Sequence, residues 1–277
     1  MRKIYILSIT ILLQFGWLLN IVGQTKETEP DYLIRLAGPW EKFNSQHFNF
    51  NYKVSNEFKR ARLKKRLNEI SAAQERNIKS IAVRLNIPIT AIDTLRKINF
   101  WIFSDLKEEY KITKINANAF SIIPYWSVYY TFDAGEGAHE IGHIIIGTYW
   151  GNFNSSKFQF LIEEGWASLV DEGYGARKYD YYVKANKILK DNDYSIDNIV
   201  SNRQVMGYFV NPYTLKAIVS GAFVKYLIEI YGIDKFHTLW TDLRDEDETF
   251  KRIYGKDFSV LCDDFYKFIK IKKNNWA

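Results

Sequence analysis

Two hydrophobic periods alternate along the chain, and their boundaries set the expected elements. From His47 to Val54 ring and polar residues alternate, the two-residue period of a half-buried strand. After Ser55, a helix N-cap residue type, the apolar positions change to helical spacing. Leu63, Leu67, Ile70, Ile78, Ile81 and Leu85 form one stripe, which predicts a long helix to about Asn86 packed on a sheet. Pro88 closes that unit. Lys97 to Ser104 alternates again, and Phe120 to Phe132 holds one or two further strands. From Ala134 onward helical signals dominate, with Tyr231-Gly232 and Tyr254-Gly255 as expected helix stops. Strands first and helices after predict an α+β domain with a helical C-terminal lobe.

The N-terminus follows a different pattern. Met1-Arg2-Lys3 precedes an apolar run from Ile4 to about Gly23, interrupted by Gln14 and Asn20 and followed at once by polar sequence. This is the layout of a secretory signal peptide over residues 1–23. A run of that length also just suffices for an uncleaved anchor; the interruptions favour cleavage. With residues 24–39 as a linker and 40–277 as one domain, the expected location is secreted or periplasmic. A stable membrane partner is expected only if the first segment stays attached.

Composition narrows the picture. At 277 residues, 47% hydrophobic and 25% charged, the chain is globular rather than disordered or multi-spanning. Its net charge is +6, with Arg2 and Lys3 in the leader, so no nucleic-acid partner is expected. A single cysteine, Cys262, excludes an internal disulfide framework and a cysteine-based metal cluster, and reads as a small packing residue. Lys59 to Arg66, six basic residues in eight, reads as the solvated face of the long helix. Asp191-Asn-Asp-Tyr-Ser195 opens like a calcium loop, but Ile196 stands where glycine is required and Asn202 where glutamate is, so that reading is rejected. Asp242 to Glu248 reads as a solvated acidic turn between helices, and His47 as a strand or capping residue.

The chemistry concentrates in one segment. Of four histidines in the chain, two fall in His139-Glu140-Ile141-Gly142-His143, an H-E-x-x-H pattern. Residues four apart share a helix face, so both imidazoles can reach one metal ion, and Glu140 is placed to work on water rather than to ligate. A catalytic zinc site needs a third protein ligand. Leu161 to Ser168 forms a second apolar helix, a costly place for an unpaired carboxylate. Glu164 is the expected ligand, since Gly165 after it permits the close helix approach a shared metal requires. Glu163 competes, because spacing does not decide between neighbours.

His139 to His143 followed by Glu164-Gly165-Trp166-Ala167 resembles the gluzincin zinc metallopeptidases, and most of all the peptidase-MA-like group of exported bacterial proteins. Ser45 to Phe48 heading a strand, Lys97 to Ser104, Ser220 to Gly232 and Phe250 to Gly255 are also similar to that group, so the likeness runs over roughly residues 40 to 270. The resemblance implies a thermolysin-like zincin fold: N-terminal strands with a long helix, a zinc-binding helix pair and a helical C-terminal lobe. It implies one Zn2+ per chain held by His139, His143 and Glu164, with Glu140 as the catalytic carboxylate and a peptide or protein as substrate. The Gly-x-Met-Glu-Asn signature of the aminopeptidase branch is absent, which tilts the expectation toward an endopeptidase. Asn118-Ala119-Phe120 is either a plain core strand or, by a resemblance whose spacing to His139 is shorter than in those enzymes, the edge-strand segment that thermolysin-like enzymes use to align substrate backbone.

In that chemistry zinc polarises the scissile carbonyl and makes its water more acidic, and Glu140 carries a proton from water to the leaving amine. The oxyanion needs a further donor, for which Tyr208, Tyr213 and His237 are candidates, each with packing as its more ordinary role. Asp171 is the expected acceptor for a free ring nitrogen. Tyr125-Trp126 and Tyr129-Tyr130 either line a groove or pack in the core. The competing reading is a zinc-containing binding domain that has lost turnover.

Overall fold

A computed structural model describes residues 36, 38–53, 57–115, 117, 119–131, 137–153, 157–171, 181–191, 195–201, 210–242 and 246–274. The first expected segment, residues 1–23, the polar stretch Thr25 to Pro30 and the Ser55 cap lie outside the described residues. Strands β1 (Glu41–Asn44), β2 (Phe48–Lys53), β3 (Ile98–Phe103), β4 (Ala119–Ile122) and β5 (Ser127–Thr131) form one sheet in the order β1-β2-β3-β5-β4. The inner strands β2, β3 and β5 run parallel, and the two edge strands pair antiparallel with their neighbours. A parallel pair needs a long crossover. Between β2 and β3 it is helix α1 (Glu57–Arg84) followed by the short α2 (Ile89–Asp93); between β3 and β5 it includes α3 (Leu106–Thr113).

The two-residue period does what the sequence leads one to expect. Phe48, Phe50 and Tyr52 of β2, Ile98, Phe100 and Ile102 of β3, and Val128 and Tyr130 of β5 are buried in one core. All six residues of the α1 stripe lie in that core too. Phe100 stacks on Tyr130 with centroids 4.7 Å apart. The alternate residues Phe103 and Tyr129 form a smaller cluster on the other face, with Leu36 and Phe120. Tyr129 and Tyr130 are thus core residues, and Trp126 is buried under the Arg96 guanidinium, 5.1 Å from its ring. Arg62, Lys64 and Lys65 are exposed, as the solvated-face reading requires. Three elements escape the periodic reading. β1 is four residues of intermediate and exposed positions, and α2 and α3 are one to two turns long.

The C-terminal half is helical: α4 (His139–Trp150), a π-helical turn (Phe160–Glu164) leading directly into α5 (Gly165–Val170), then α6 (Tyr181–Asp191), α7 (Ile196–Ser201), α8 (Val210–Tyr231), α9 (Ile233–Asp242), α10 (Glu246–Tyr254) and α11 (Phe258–Asn274). α8 is the hub. Every residue from Ala217 to Val224 is buried, the mark of a helix surrounded on all sides. It packs on α5, α6, α9 and the π-turn. Gly232 (φ +90°) and Gly255 (φ +71°) end α8 and α10 in the left-handed conformation, and their N–H groups return to Ile228 O and Lys251 O. The architecture is mixed α+β.

His47 proves to be a staple rather than a simple strand residue. Buried, it sets Nδ1 2.5 Å from Glu75 of α1 and Nε2 3.0 Å from Asp93 of α2. Glu75 also accepts from Ser45 Oγ (2.6 Å) and the His47 N–H (2.9 Å). Burial works to raise the Glu75 pKa, but these donors outweigh it and hold the carboxyl below its ordinary value. The β1–β2 connection is thereby pinned to both helices that follow it. His47→Ala removes the buried ring that joins two carboxylates, each of which keeps another donor, and should cost roughly 1–3 kcal/mol in urea unfolding. A loss below about 0.5 kcal/mol, the scale of an ordinary surface substitution, would contradict the staple.

Candidate metal centre

α4 is a buried helix whose apolar residues Ile141, Ile144, Ile145 and Ile146 are wholly enclosed. Its first turn and a half carries His139, Glu140 and His143 to the wall of a cleft. The four-residue spacing puts the two rings on one side, with centroids 5.1 Å apart. α5 lies antiparallel against α4, and Gly142 is where they touch. A Cβ there would meet Val170 Cγ2 at 2.6 Å and Ala167 Cα at 3.6 Å, and Trp166 Nε1 donates to Gly142 O at 3.2 Å. The glycine inside the H-E-x-x-H segment is therefore what lets the second ligand-bearing helix approach.

Gly165 has a different partner from the one expected. Its missing side chain admits α8, since a Cβ would lie 2.8 Å from both Ser220 O and Val224 Cγ2. It brings α5 close to the hub helix, not to the histidine helix.

Glu163 and Glu164 close the π-turn, and both consecutive carboxylates face the histidines. Glu164 Oε2 is 3.2 Å from His139 Nε2, and Glu164 Oε1 is 3.6 Å from His143 Nε2. Glu163 faces the other nitrogen of one ring, with Oε1 3.6 Å from His143 Nδ1, while Oε2 accepts from Gln159 Nε2 at 2.9 Å. The geometry thus separates the neighbours: Glu164 stands between both Nε2 atoms, and Glu163 stands behind one ring. One donor atom from each of His139, His143 and Glu164 lies within 4.8 Å of the others, close enough for a single metal ion. Two imidazoles and one carboxylate are the borderline donors zinc accepts.

Electrostatics point the same way. Burial alone would strip protons from both rings. Glu164 and Glu140 outweigh it at His139 and raise its pKa; Glu163, Glu164 and Glu140 push His143 up to about 9. The three carboxylates therefore demand positive charge at this spot, from protons or from a cation.

The cleft of about 550 Å³ has Ala119 to Pro124 along one wall and the histidines and glutamates on the other. Ala119 and Phe120 belong to β4, an edge strand of the described sheet, and line the cleft; Asn118 lies outside the described residues. Asp171 sits at the head of α4, where Oδ1 accepts the Ala138 N–H at 2.9 Å. It holds the helix start through the backbone, a role the sequence alone does not give. His237 is exposed on α9 against Trp150, 4.5 Å between centroids, and does not line the cleft, so the structure removes it as an oxyanion donor. Tyr208 and the side chain of Tyr213 lie outside the described residues.

One buried acid was not anticipated. Glu109 of α3 is fully buried, and among the described residues neither carboxyl oxygen has a hydrogen-bond partner. In sequence it sits among Lys107, Glu108 and Lys111 and reads as part of a solvated face. Burial, and then the negative charge of Glu140, push its pKa up to about 8. The unfolded chain ionises this acid near 4.5, so between pH 4.5 and 8 the native state holds a proton that the unfolded state has lost. Stability falls as pH rises through that window, by roughly 3–5 kcal/mol over its full width. Glu109→Gln should remove this acid's share of the fall and leave that of His139 and His143 above pH 6.5, read as a flatter plot of unfolding free energy against pH between 4.5 and 6.5 for the metal-free protein. Parallel plots for the two proteins would contradict it.

No protein-family model matches the chain, and no curated protein matches it in sequence.

Proposed function

We propose that this chain is an exported zinc-dependent peptidase of the gluzincin type, with a thermolysin-like arrangement of its sheet and helix pair. The observation that carries the reading is the convergence of His139 Nε2, His143 Nε2 and the Glu164 carboxylate, with Glu140 beside them, on the wall of an open cleft. Zinc held by these three donors would supply a Lewis acid for the scissile carbonyl and for water. The remaining steps belong to the chain's own groups. Glu140, mostly buried yet facing the cleft, takes a proton from water at its carboxylate and returns it to the nitrogen of the leaving amine. β4, last in the described sheet and lining the cleft, offers an extended substrate a sheet edge among the described residues, where backbone groups align a peptide without regard to its side chains.

Export rests on the basic-then-apolar layout of residues 1–23. Among the described residues no helix is long and apolar enough to cross a membrane. A peptide or protein substrate is the reading for the cleft, and no nucleic-acid partner is proposed.

The test is hydrolysis of a mixed fluorogenic peptide library by the purified protein, before and after chelation and zinc replacement. Glu140→Gln should bind zinc as the wild type does and lose about 10²–10⁴-fold in turnover, the usual range for a general base. His143→Ala should lose both metal and turnover. A native rate in Glu140→Gln would overturn the assignment of the base. Zinc binding without hydrolysis of any library member would leave a zinc-containing binding domain in place of a peptidase.

A further inference from the structure

The apolar stripe of α1 contains one residue that does not belong to it. Gln74 lies four residues from Ile70 and four from Ile78, in the same helical row, and is fully buried. Leucine would suit that position. A buried amide costs desolvation that only well-placed hydrogen bonds recover. Gln74 makes them at both ends: Nε2 donates to Gly137 O at 3.0 Å, and Oε1 accepts from Asn77 Nδ2 at 3.0 Å. With Asn77 on its oxygen, the amide is held with its donor toward Gly137.

Gly137 is two residues before His139. Its other side is held as well, because Asp171 accepts the neighbouring Ala138 N–H at 2.9 Å. Glycine leaves room for this approach, since a Cβ at Gly137 would lie 2.9 and 3.0 Å from the two Asp171 oxygens and push the carboxylate aside. Ala138 provides no side-chain cap of its own, and its carbonyl accepts the first helical bond, from Gly142 N at 2.8 Å. The start of α4 is therefore gripped by α1 on one side and by the end of α5 on the other.

We infer that Gln74 is a positioning residue for the metal ligand His139, acting through the Gly137 carbonyl to fix the first turn of α4. This rests on the metal-site reading given above. Gln74 touches neither metal nor substrate. Its effect is on where the His139 ring stands relative to His143 and Glu164, and so on how well three donors meet one ion.

The test compares wild type, Gln74→Leu and Asn77→Ala with Ile70→Val, a stripe substitution that lowers stability without touching Gly137. Zinc affinity is read by competition with a chromophoric chelator, and site geometry by the visible spectrum of the cobalt-loaded protein. Gln74→Leu should weaken zinc binding by about ten-fold or more, within the range for outer-shell changes, and shift the cobalt bands. Asn77→Ala should do the same to a smaller degree, and Ile70→Val should match wild type in both readouts. Wild-type affinity and an unchanged cobalt spectrum in Gln74→Leu would overturn the inference while leaving the metal site standing. Wild-type protein that takes up neither ion would overturn the metal-site reading, and the inference with it.

Discussion

Three carboxylates crowd two buried imidazoles on one wall of a cleft, and the rest of the molecule is arranged to keep them there. Glu140, Glu163 and Glu164 approach rings that are over 90% buried, where separated charges are expensive. These carboxylates outweigh burial and raise the pKa of both rings, that of His143 to about 9. A divalent cation meets the same demand with fewer particles, and unlike two protons it can be shared by all three donors at once. The proposed zinc site is thus the simplest way to balance a charge that the fold creates.

Close contact around the site is the second constraint, and three glycines allow it. Gly142 lets α5 reach α4, Gly165 lets α8 reach α5, and Gly137 lets Asp171 reach the backbone at the head of α4. A side chain at any of them would meet backbone or a fixed carboxylate within 3 Å, or in the case of Gly142 the Val170 methyl. The sheet contributes from the opposite side: its core-facing residues share one hydrophobic cluster with α1 and α4, and its edge strand β4 forms the facing wall of the cleft. Rigidity at the site therefore comes from packing on both flanks, a requirement for any centre whose donors must hold sub-ångström positions.

Strong periodicity made much of this legible in the sequence. The α1 stripe, the alternating strands and the glycine stops after Tyr231 and Tyr254 all stand where their patterns place them. The i, i+4 spacing of His139 and His143 likewise suffices to bring two rings together. Features set by tertiary contact or by irregular backbone were not legible. The π-turn, which brings Glu163 and Glu164 to one site, has no spacing signature, so the two neighbours could not be told apart. Gly165 signalled a close approach, but its partner is α8 and not the histidine helix that was expected. Asp171 and His47 found partners far away in the chain, and the burial of Glu109 contradicts the polar company it keeps. Gln74 was visible only as a gap in a stripe.

The most direct measurement of the central claim is the metal content of the purified protein by elemental mass spectrometry, beside Glu163→Gln and Glu164→Gln. The account predicts about one zinc per chain in the wild type, retained though held less tightly in Glu163→Gln, and lost in Glu164→Gln. Absence of zinc from the wild type even after reconstitution, or its retention by Glu164→Gln and loss from Glu163→Gln, would contradict it.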